Sequence, residues 1–237
     1  MKLASKLFVL AFLLAFASTA LAVIEHDQMK VFAVSSNDER AMSAGLGLTL
    51  KAGEGKIWSS VDPLIGTSTQ TTERISVEVA KNYSDKVNQF DYFFDINSTA
   101  SLVDGPSAGA AMALLTISML QNKTVPDNVS ITGTIAVDGS VGAVGGVFKK
   151  SQEAARIGMD LFMIPEGEGR QMVKFEDEVR SVSLPEYAKN EWGLTVVEVK
   201  NISEALDYAF SDIQSIDINK GSSFVPEFVP NAITVPE

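Results

Sequence analysis

Short apolar runs recur along the chain, separated by polar stretches rich in Gly, Pro, Asn and Ser. Alternation of apolar and small or polar residues indicates half-buried strands, and short continuous apolar runs indicate fully buried ones. The aromatic run at 90–96 is the densest, and we interpret it as a buried strand. Strands are predicted at 31–34, at 45–50, from 57 onward, and at 90–96, 129–137, 161–164 and 194–200.

Helical spacing of apolar residues lies between these runs. In its longest example, 108–120, nearly every residue is Ala, Met, Leu or Ile. Thirteen residues are too few to cross a membrane, so we predict a helix that is buried on most sides. Because helices alternate with strands, we expect one α/β or α+β domain. Helices are predicted at 71–83, 108–120, 149–157, 185–190 and 203–210, with Thr71 or Thr72 and Ser203 as N-caps and Gly158 as a C-cap.

The N-terminus has a different pattern. Lys2 and Lys6 precede an apolar run, which small residues at 18–22 bring to an end. This order is typical of a secretory signal peptide over 1–22. The uncharged stretch 7–24 is also just long enough to span a membrane, so an uncleaved signal anchor remains open. In both cases we expect the rest of the chain to be exported, either secreted or tethered to the outer face of the cytoplasmic membrane.

The remaining chain is expected to form a single folded unit. Residues 23–30 are interpreted as a linker and 31–212 as the folded domain. Residues 213–237 contain three prolines among several Ser and Asn residues, which is typical of an extended tail.

The net charge restricts the partners of the chain. It is −11 for the whole sequence and becomes −13 when Lys2 and Lys6 leave with residues 1–22. Such an acidic surface argues against nucleic acids and anionic lipids, because both attract basic patches. We expect contact with a membrane only through 7–24, if that segment is retained. The chain has no cysteine, so its fold must rest on its core and not on disulfides.

Glycosylation is a possible consequence of export. Sequons of the form N-x-[ST] could carry glycans, and their chance occurrence is equally open. They begin at Asn82, Asn97, Asn122, Asn128 and Asn201.

The available residue types limit the chemistry of any active site. The single histidine, His26, falls in the predicted linker, which nearly excludes a Ser-His-Asp triad. A zinc site with histidine or cysteine ligands is excluded on the same count, and we expect no cofactor. A serine nucleophile would therefore need a lysine amine as its base. Neither glycine-rich stretch, 139–146 or 53–56, has the spacing of a nucleotide-binding loop, so no ATP site is visible.

Ser107 is the candidate nucleophile. It lies in the segment DGPSAG, residues 104–109, directly before the predicted buried helix. A serine in this place is first of all a candidate N-cap. As a nucleophile it would be surrounded by the free backbone N–H groups of a helix start, which can hold an oxyanion. Gly105 and Gly109 would let a substrate approach closely, and Asp104 would orient the lysine or finish the turn.

Lys150 is the candidate base. It comes 43 positions after Ser107 and follows the apolar segment 144–148. A free lysine amine has a pKa of about 10.4 and is charged near neutral pH. Burial and the potential of a helix N-terminus both disfavour the ammonium form and would make the amine a usable base. The alternative is a surface lysine in a first helical turn, which Lys149 fits better. Together, Ser107 and Lys150 point to a serine–lysine peptidase.

Three segments in register resemble the proteolytic domain of Lon proteases. Residues 104–109 match the nucleophile motif of that family, and 129–135 resemble its strand with a Thr-Gly pair. Residues 145–150 are similar to the Gly-Gly turn before its catalytic lysine, and weaker similarity extends over about 31–210. The resemblance implies a Lon-type fold of mixed sheets flanked by helices. It also makes a homo-oligomer possible, because Lon proteolytic domains commonly form rings.

The resemblance also assigns roles to residues. It implies that Ser107 and Lys150 form a catalytic dyad. Supporting roles fall to Asp104, Thr132, Gly105 and Ala108, with Thr132 and Asp104 as the candidates for positioning the lysine.

The chain departs from the family pattern in several places. Val103 stands where a lysine is frequent, and Thr134 stands where a glutamate usually follows the Thr-Gly pair. The residues around Asp138 differ from the usual basic position. These differences bear on lysine orientation and substrate contact. No ATPase segment accompanies the domain, and the similarity to stand-alone Lon-like proteases, mostly archaeal, implies independence from ATP.

The sequence thus predicts an exported, ATP-independent serine endopeptidase that cleaves peptides or unfolded protein segments. A non-catalytic exported binding or scaffold protein with the same fold is the alternative. Self-processing is a third possibility, in which the tail from Gln214 occupies the site of its own chain until it is cleaved.

Overall fold

The computed structural model describes residues 24–34, 40–175 and 178–218. The strands are β1 (Ile24–Val34), β2 (Ala41–Ala52), β3 (Ile57–Ser59), β4 (Leu64–Ile65), β5 (Phe90–Asn97), β6 (Leu102–Val103), β7 (Val129–Ile131), β8 (Thr134–Ile135), β9 (Val141–Gly142), β10 (Leu161–Pro165), β11 (Arg170–Phe175), β12 (Glu178–Ser183) and β13 (Thr195–Val199). The α helices are α1 (Thr67–Ala80), α2 (Gly109–Leu120), α3 (Val147–Arg156), α4 (Leu184–Trp192) and α5 (Ile202–Ala209). Short 3-10 helices lie at Val87–Gln89, Pro106–Ala108 and Ile213–Ser215.

The larger sheet has four strands in the order β1-β2-β5-β3. β1 pairs antiparallel with β2 in one continuous register that begins with Ile24 opposite Lys51. β2 and β5 are also antiparallel, and β3 runs parallel to β5. Leu46, Leu48 and Leu50 of β2 are all fully buried, because side chains two apart on a strand share one face. One face of this mixed sheet therefore covers the core.

A second sheet is parallel, in the order β13-β10-β7. All five residues of its central strand, β10, are buried. Parallel strands covered on both faces are expected to be apolar without alternation, which explains the run that the sequence shows here. The strand predicted at 161–164 is confirmed.

Helix α2 lies in the middle of the molecule. All twelve of its residues are buried, and it packs against α1, α5 and the first two strands of the larger sheet. The prediction of a buried helix at 108–120 is confirmed. With five α helices around mixed sheets in the described part of the chain, the predicted α/β fold is confirmed as well.

The predicted linker at 23–30 is wrong from residue 24 onward. Residues 24–30 are the first part of β1 and pair with 45–51 of β2. Met29 is buried, whereas His26 and Gln28 are exposed. The strand escaped prediction because the four successive polar residues at 25–28 show no apolar alternation, and its pairing partner lies about twenty residues away in the sequence.

Two helices begin earlier than the sequence predicts, at residues other than the predicted caps. Helix α1 begins four residues earlier than expected, after Gly66, so Thr71 and Thr72 are not caps. Their hydroxyls donate to carbonyls one turn back within the helix. The N-cap of α5 is Asn201, whose side chain accepts from the Glu204 N–H, and not Ser203. Polar residues inside a first turn and at a cap look alike in a sequence.

Three further segments differ from the prediction. The strand predicted at 129–137 is divided into β7 and β8, which belong to different sheets. The antiparallel hairpin of β11 and β12 was not anticipated. The predicted tail begins with the 3-10 helix Ile213–Ser215, and Ile213 and Ile216 pack against the core, so its first residues are folded. Residues from 219 onward lie outside the described part of the chain.

The predicted signal peptide or anchor at 1–22 also lies outside the described residues. Within the residues that the structure covers, none of the helices combines the length and apolar character needed to cross a membrane.

Candidate active site

Ser107 lies at the junction between β6 and α2. It is the middle residue of the 3-10 helix Pro106–Ala108, which continues directly into α2. The N-cap of α2 is Ala108, so the alternative assignment of Ser107 as N-cap is wrong. Gly105 precedes the turn at a φ of 147°, in a region that favours glycine over other residues.

The turn between β7 and β8 holds the backbone of Ser107. The Ser107 carbonyl accepts from the Gly133 N–H at 3.0 Å and from the Thr132 hydroxyl at 3.3 Å. The Gly133 carbonyl in turn accepts from the Ala110 N–H at 3.0 Å. A Cβ on Gly109 would meet the Ile135 backbone nitrogen at 2.9 Å, so glycine permits the close approach of α2 to β8. These contacts fix the start of α2 against the Thr-Gly pair.

Lys150 is almost completely buried, with 1% of its surface exposed. On α3 it shares the inward face with Val147, Ser151 and Ala154, which are also buried and lie at helical spacing from one another. Lys149 is exposed. The alternative of a surface lysine therefore holds for Lys149 and is wrong for Lys150.

Burial changes the chemistry of Lys150. It lowers the pKa of the amine from 10.5 to about 8, because the charged form loses its hydration. At pH 7 about one amine in ten is then neutral, whereas a free lysine is neutral in fewer than about one molecule in a thousand. A neutral amine can accept a proton, so Lys150 is suited to act as a base near neutral pH.

Thr132 connects the lysine to the serine. The Lys150 Nζ donates to the Thr132 Oγ1 at 3.0 Å, and the same hydroxyl donates to the Ser107 carbonyl. The hydrogen bond that the Lys150 side chain makes among the described residues is therefore to Thr132. It does not go directly to the Ser107 hydroxyl. The structure thus brings Ser107, Thr132 and Lys150 together through two hydrogen bonds.

Asp104 has a different set of contacts. Its Oδ1 accepts from the backbone N–H groups of Ser68 and Thr69, at 3.0 and 3.3 Å. It therefore caps the start of α1 from a distant part of the chain and does not contact Lys150. Asp104 thus joins the nucleophile turn to the start of α1. Ala108, the fourth supporting residue, packs partly buried against the core.

Thr69 belongs to the same region and was not anticipated. Its hydroxyl accepts from the Gly105 N–H at 3.2 Å and donates to the Gly105 carbonyl at 3.3 Å. The predicted helix started at residue 71, so Thr69 fell outside it. The available signal was the polar group Thr67-Ser68-Thr69 after Gly66, which is typical of a helix start.

His26 lies outside this region. Its ring Nδ1 is 3.0 Å from the Thr49 hydroxyl on the exposed part of β1 and β2. Across the described residues, no group of three or more His, Asp or Glu side chains is arranged to hold a metal ion.

Comparison with known proteins shows what the chain is similar to. Residues 66–212 match the model of the Lon protease (S16) C-terminal proteolytic domain. A Lon protease from Helicobacter pylori is 29% identical over 190 residues, which cover 76% of this chain and 22% of the relative. One from Methanosarcina barkeri is 28% identical over 194 residues, covering 79% and 22%. One from Clostridioides difficile is 39% identical over 106 residues, covering 45% and 12%.

The α/β fold and the matched segment define a protease-type domain. More narrowly, the chain belongs to the Lon protease proteolytic-domain family. The longer of these matches cover most of this chain. They cover only about one fifth of the length of the curated relatives.

Proposed function

We propose that the chain is an ATP-independent serine endopeptidase in which Ser107 and Lys150 form the catalytic dyad. The observation that carries the proposal is the buried Lys150 amine, hydrogen-bonded to the threonine that holds the Ser107 backbone. A buried lysine without a carboxylate partner destabilises a fold. Its position beside a serine at a helix start supports a catalytic role.

The mechanism follows from the chemistry of the two groups. The neutral Lys150 amine takes the proton of the Ser107 hydroxyl, and Oγ forms a bond to the scissile carbonyl carbon. Backbone N–H groups around Ser107 stabilise the oxyanion. The Lys150 ammonium then protonates the leaving amine as the peptide bond breaks, which leaves an acyl-enzyme. Lys150 then takes a proton from water as the water oxygen bonds to the acyl carbonyl carbon. The Lys150 ammonium returns that proton to the Ser107 Oγ as the ester bond breaks, which releases the acid product and restores Ser107.

Thr132 acts in this scheme as a positioning residue. The neutral lysine amine has two N–H donors and one lone pair, so Lys150 can keep donating to Thr132 while its lone pair takes the Ser107 proton. Because the Thr132 hydroxyl also donates to the Ser107 carbonyl, it fixes the distance between base and nucleophile. Gly105, Ala108 and Asp104 support the turn that presents Ser107.

The proposed independence from ATP sets the substrate class. A protease that spends no ATP on unfolding can act only where the backbone is already accessible, in peptides and unfolded protein segments. The N-terminal sequence pattern supports export, with 1–22 as a signal peptide or anchor, and the acidic charge supports protein substrates over nucleic acids.

The experiment compares the full chain, Ser107→Ala and Lys150→Ala on unfolded casein without ATP. Cleavage by the unchanged chain alone supports the dyad and ATP independence together. Equal cleavage by all three contradicts the dyad. A compact globular protein should be cut much more slowly than casein, and equal rates would contradict the substrate class. The intact mass after expression in a secreting host tests export, because cleavage after Ala22 removes a defined mass.

A non-catalytic exported binding protein remains the second candidate function. The presence of both Ser107 and Lys150 argues against it, since a scaffold has no need for a buried lysine. Binding of casein without cleavage, unchanged in Ser107→Ala, would favour the scaffold. Self-processing is tested on the same samples. A mass loss from the tail in the unchanged chain, absent in Ser107→Ala, would support it, and an unchanged full-length mass would contradict it.

A further inference from the structure

Two leucines form an exposed apolar pair beside the nucleophile turn. Leu64 of β4 and Leu102 of β6 are direct partners in a parallel pair, with 59% and 54% of their surface exposed. Their successors, Ile65 and Val103, turn to the core. Trp58 is similarly exposed, but one face of its ring stacks on Phe93, so it already has an apolar partner. In the described contacts no ring or charged group covers the two leucines.

The position of the pair relative to Ser107 is fixed by the chain. Leu102 precedes Ser107 by five residues, and five residues span at most about 18 Å. The connecting segment is held firmly, because the Val103 carbonyl accepts from the Gly66 N–H at 2.9 Å and Asp104 caps α1. The leucine pair is therefore joined to the nucleophile turn by a short segment with fixed contacts, within the reach of a short extended peptide.

The edge of β6 is suited to such a peptide. Among the described residues, β6 pairs with β4 alone, so its other edge is open to a further strand. Extended peptides add to open strand edges through their backbone, and their alternate side chains enter whatever surface lies beside the strand. Here that surface is the leucine pair, which favours an apolar side chain.

We propose that Leu64 and Leu102 bind an apolar side chain of the polypeptide substrate, about three to five residues from the scissile bond. The inference rests on the proposed peptidase function and narrows its substrate class to segments that carry an apolar residue at that distance. A second copy of the chain is the other occupant to consider. It would cover the approach to Ser107, so the substrate chain is the occupant that agrees with an active site.

The test compares a long and a short substrate. The full chain and Leu64→Ser/Leu102→Ser are assayed on unfolded casein and on a two-residue fluorogenic peptide, which is too short to reach the leucines. We expect the ratio of kcat/KM for casein to kcat/KM for the peptide to fall about five- to tenfold, through a higher KM for casein. The conservative variant Leu64→Ile/Leu102→Met should restore most of the ratio.

The matched control is Met172→Ser/Val179→Ser on the β11–β12 hairpin. Met172 and Val179 are 70% and 60% exposed, and this variant should leave the ratio unchanged. An unchanged ratio in the active leucine variant overturns the proposal and leaves the peptidase function intact. An equal loss on both substrates overturns it in favour of a structural role. A shift in sedimentation with an unchanged ratio overturns it in favour of a contact between copies. No cleavage by the unchanged chain overturns the peptidase function, and this proposal with it.

Discussion

Two ionisable side chains are buried to the same degree in different parts of the molecule, and burial has opposite effects on them. Lys150 on α3 and Glu73 on α1 each expose 1% of their surface. Burial lowers the pKa of Lys150 to about 8 and raises the pKa of Glu73 to about 6. Each side chain is held by a hydroxyl group, Thr132 for the lysine and Ser59 for the glutamate.

The difference lies in what surrounds the two groups. Thr132 links Lys150 to the backbone of Ser107, at the start of α2. Ser59 lies on β3, at the edge of the larger sheet, and links Glu73 to no nucleophile. The neutral form of the lysine can act as a base near neutral pH. The charged form of the glutamate only lowers the stability of the fold there. A shifted pKa thus indicates function only where the neighbouring groups can use the proton.

The largest expected effect separates the two sites by activity. Lys150→Met should lower kcat for casein by about 10²- to 10⁴-fold, because it removes the general base. Glu73→Gln should change kcat by less than about threefold. Steady-state assays of both variants at pH 8 give the comparison. A comparable loss in the two variants would show that the glutamate contributes to the site.

Stability should change in the opposite direction to activity. A folded pKa of about 8 against 10.5 for the free amine means that Lys150 contributes its full stability only above pH 10.5 and loses it as the pH falls through 8. At pH 7 this penalty is about 3 kcal/mol. Lys150→Met should remove most of it and raise the free energy of unfolding at pH 7, as measured in urea. A less stable variant would contradict the assignment of a strained, buried amine.

The pH dependence of cleavage tests the same pKa without a mutation. Only the neutral amine accepts the Ser107 proton, so kcat/KM should rise about tenfold per pH unit below 8 and level off above it. Between pH 8 and pH 6 the fall is then on the order of a hundredfold. Peptide hydrolysis from pH 5.5 to 9.5 provides the profile. A midpoint near 10 would mean that burial leaves the lysine unperturbed.

The smallest effect concerns the glutamate. Its folded pKa of about 6 lies above its ordinary value of 4.5, so stability is fully present below pH 4.5 and is lost as the pH rises through 6. The loss at pH 7 is about 2 kcal/mol. Glu73→Gln should recover part of it at pH 7 and have little effect at pH 4. Urea unfolding at the two pH values measures the difference, and equal effects at both would point to packing instead of charge.

The residues of the proposed dyad were easier to propose from the sequence than the contacts that hold them in place. Residue types limit the base of a serine nucleophile to lysine, because the chain has no cysteine and one histidine, and the motifs that resemble Lon proteases point to Ser107 and Lys150. The buried helix α2 and strand β10 follow from continuous apolar runs. Glu73 was not foreseen, since a glutamate in a helix with several polar neighbours resembles any exposed residue until the packing of α1 is known.

The sequence by itself determined the α/β class, the buried helix, the family resemblance and the two residues of the proposed dyad. Only the tertiary structure decided that residues 24–30 are a strand, that Asp104 caps α1, and that Thr132 joins Lys150 to Ser107. The physical reason is the range of the interactions. Apolar periodicity and residue chemistry act along the chain, whereas strand pairing, remote caps and the burial of a charge depend on segments far apart in sequence.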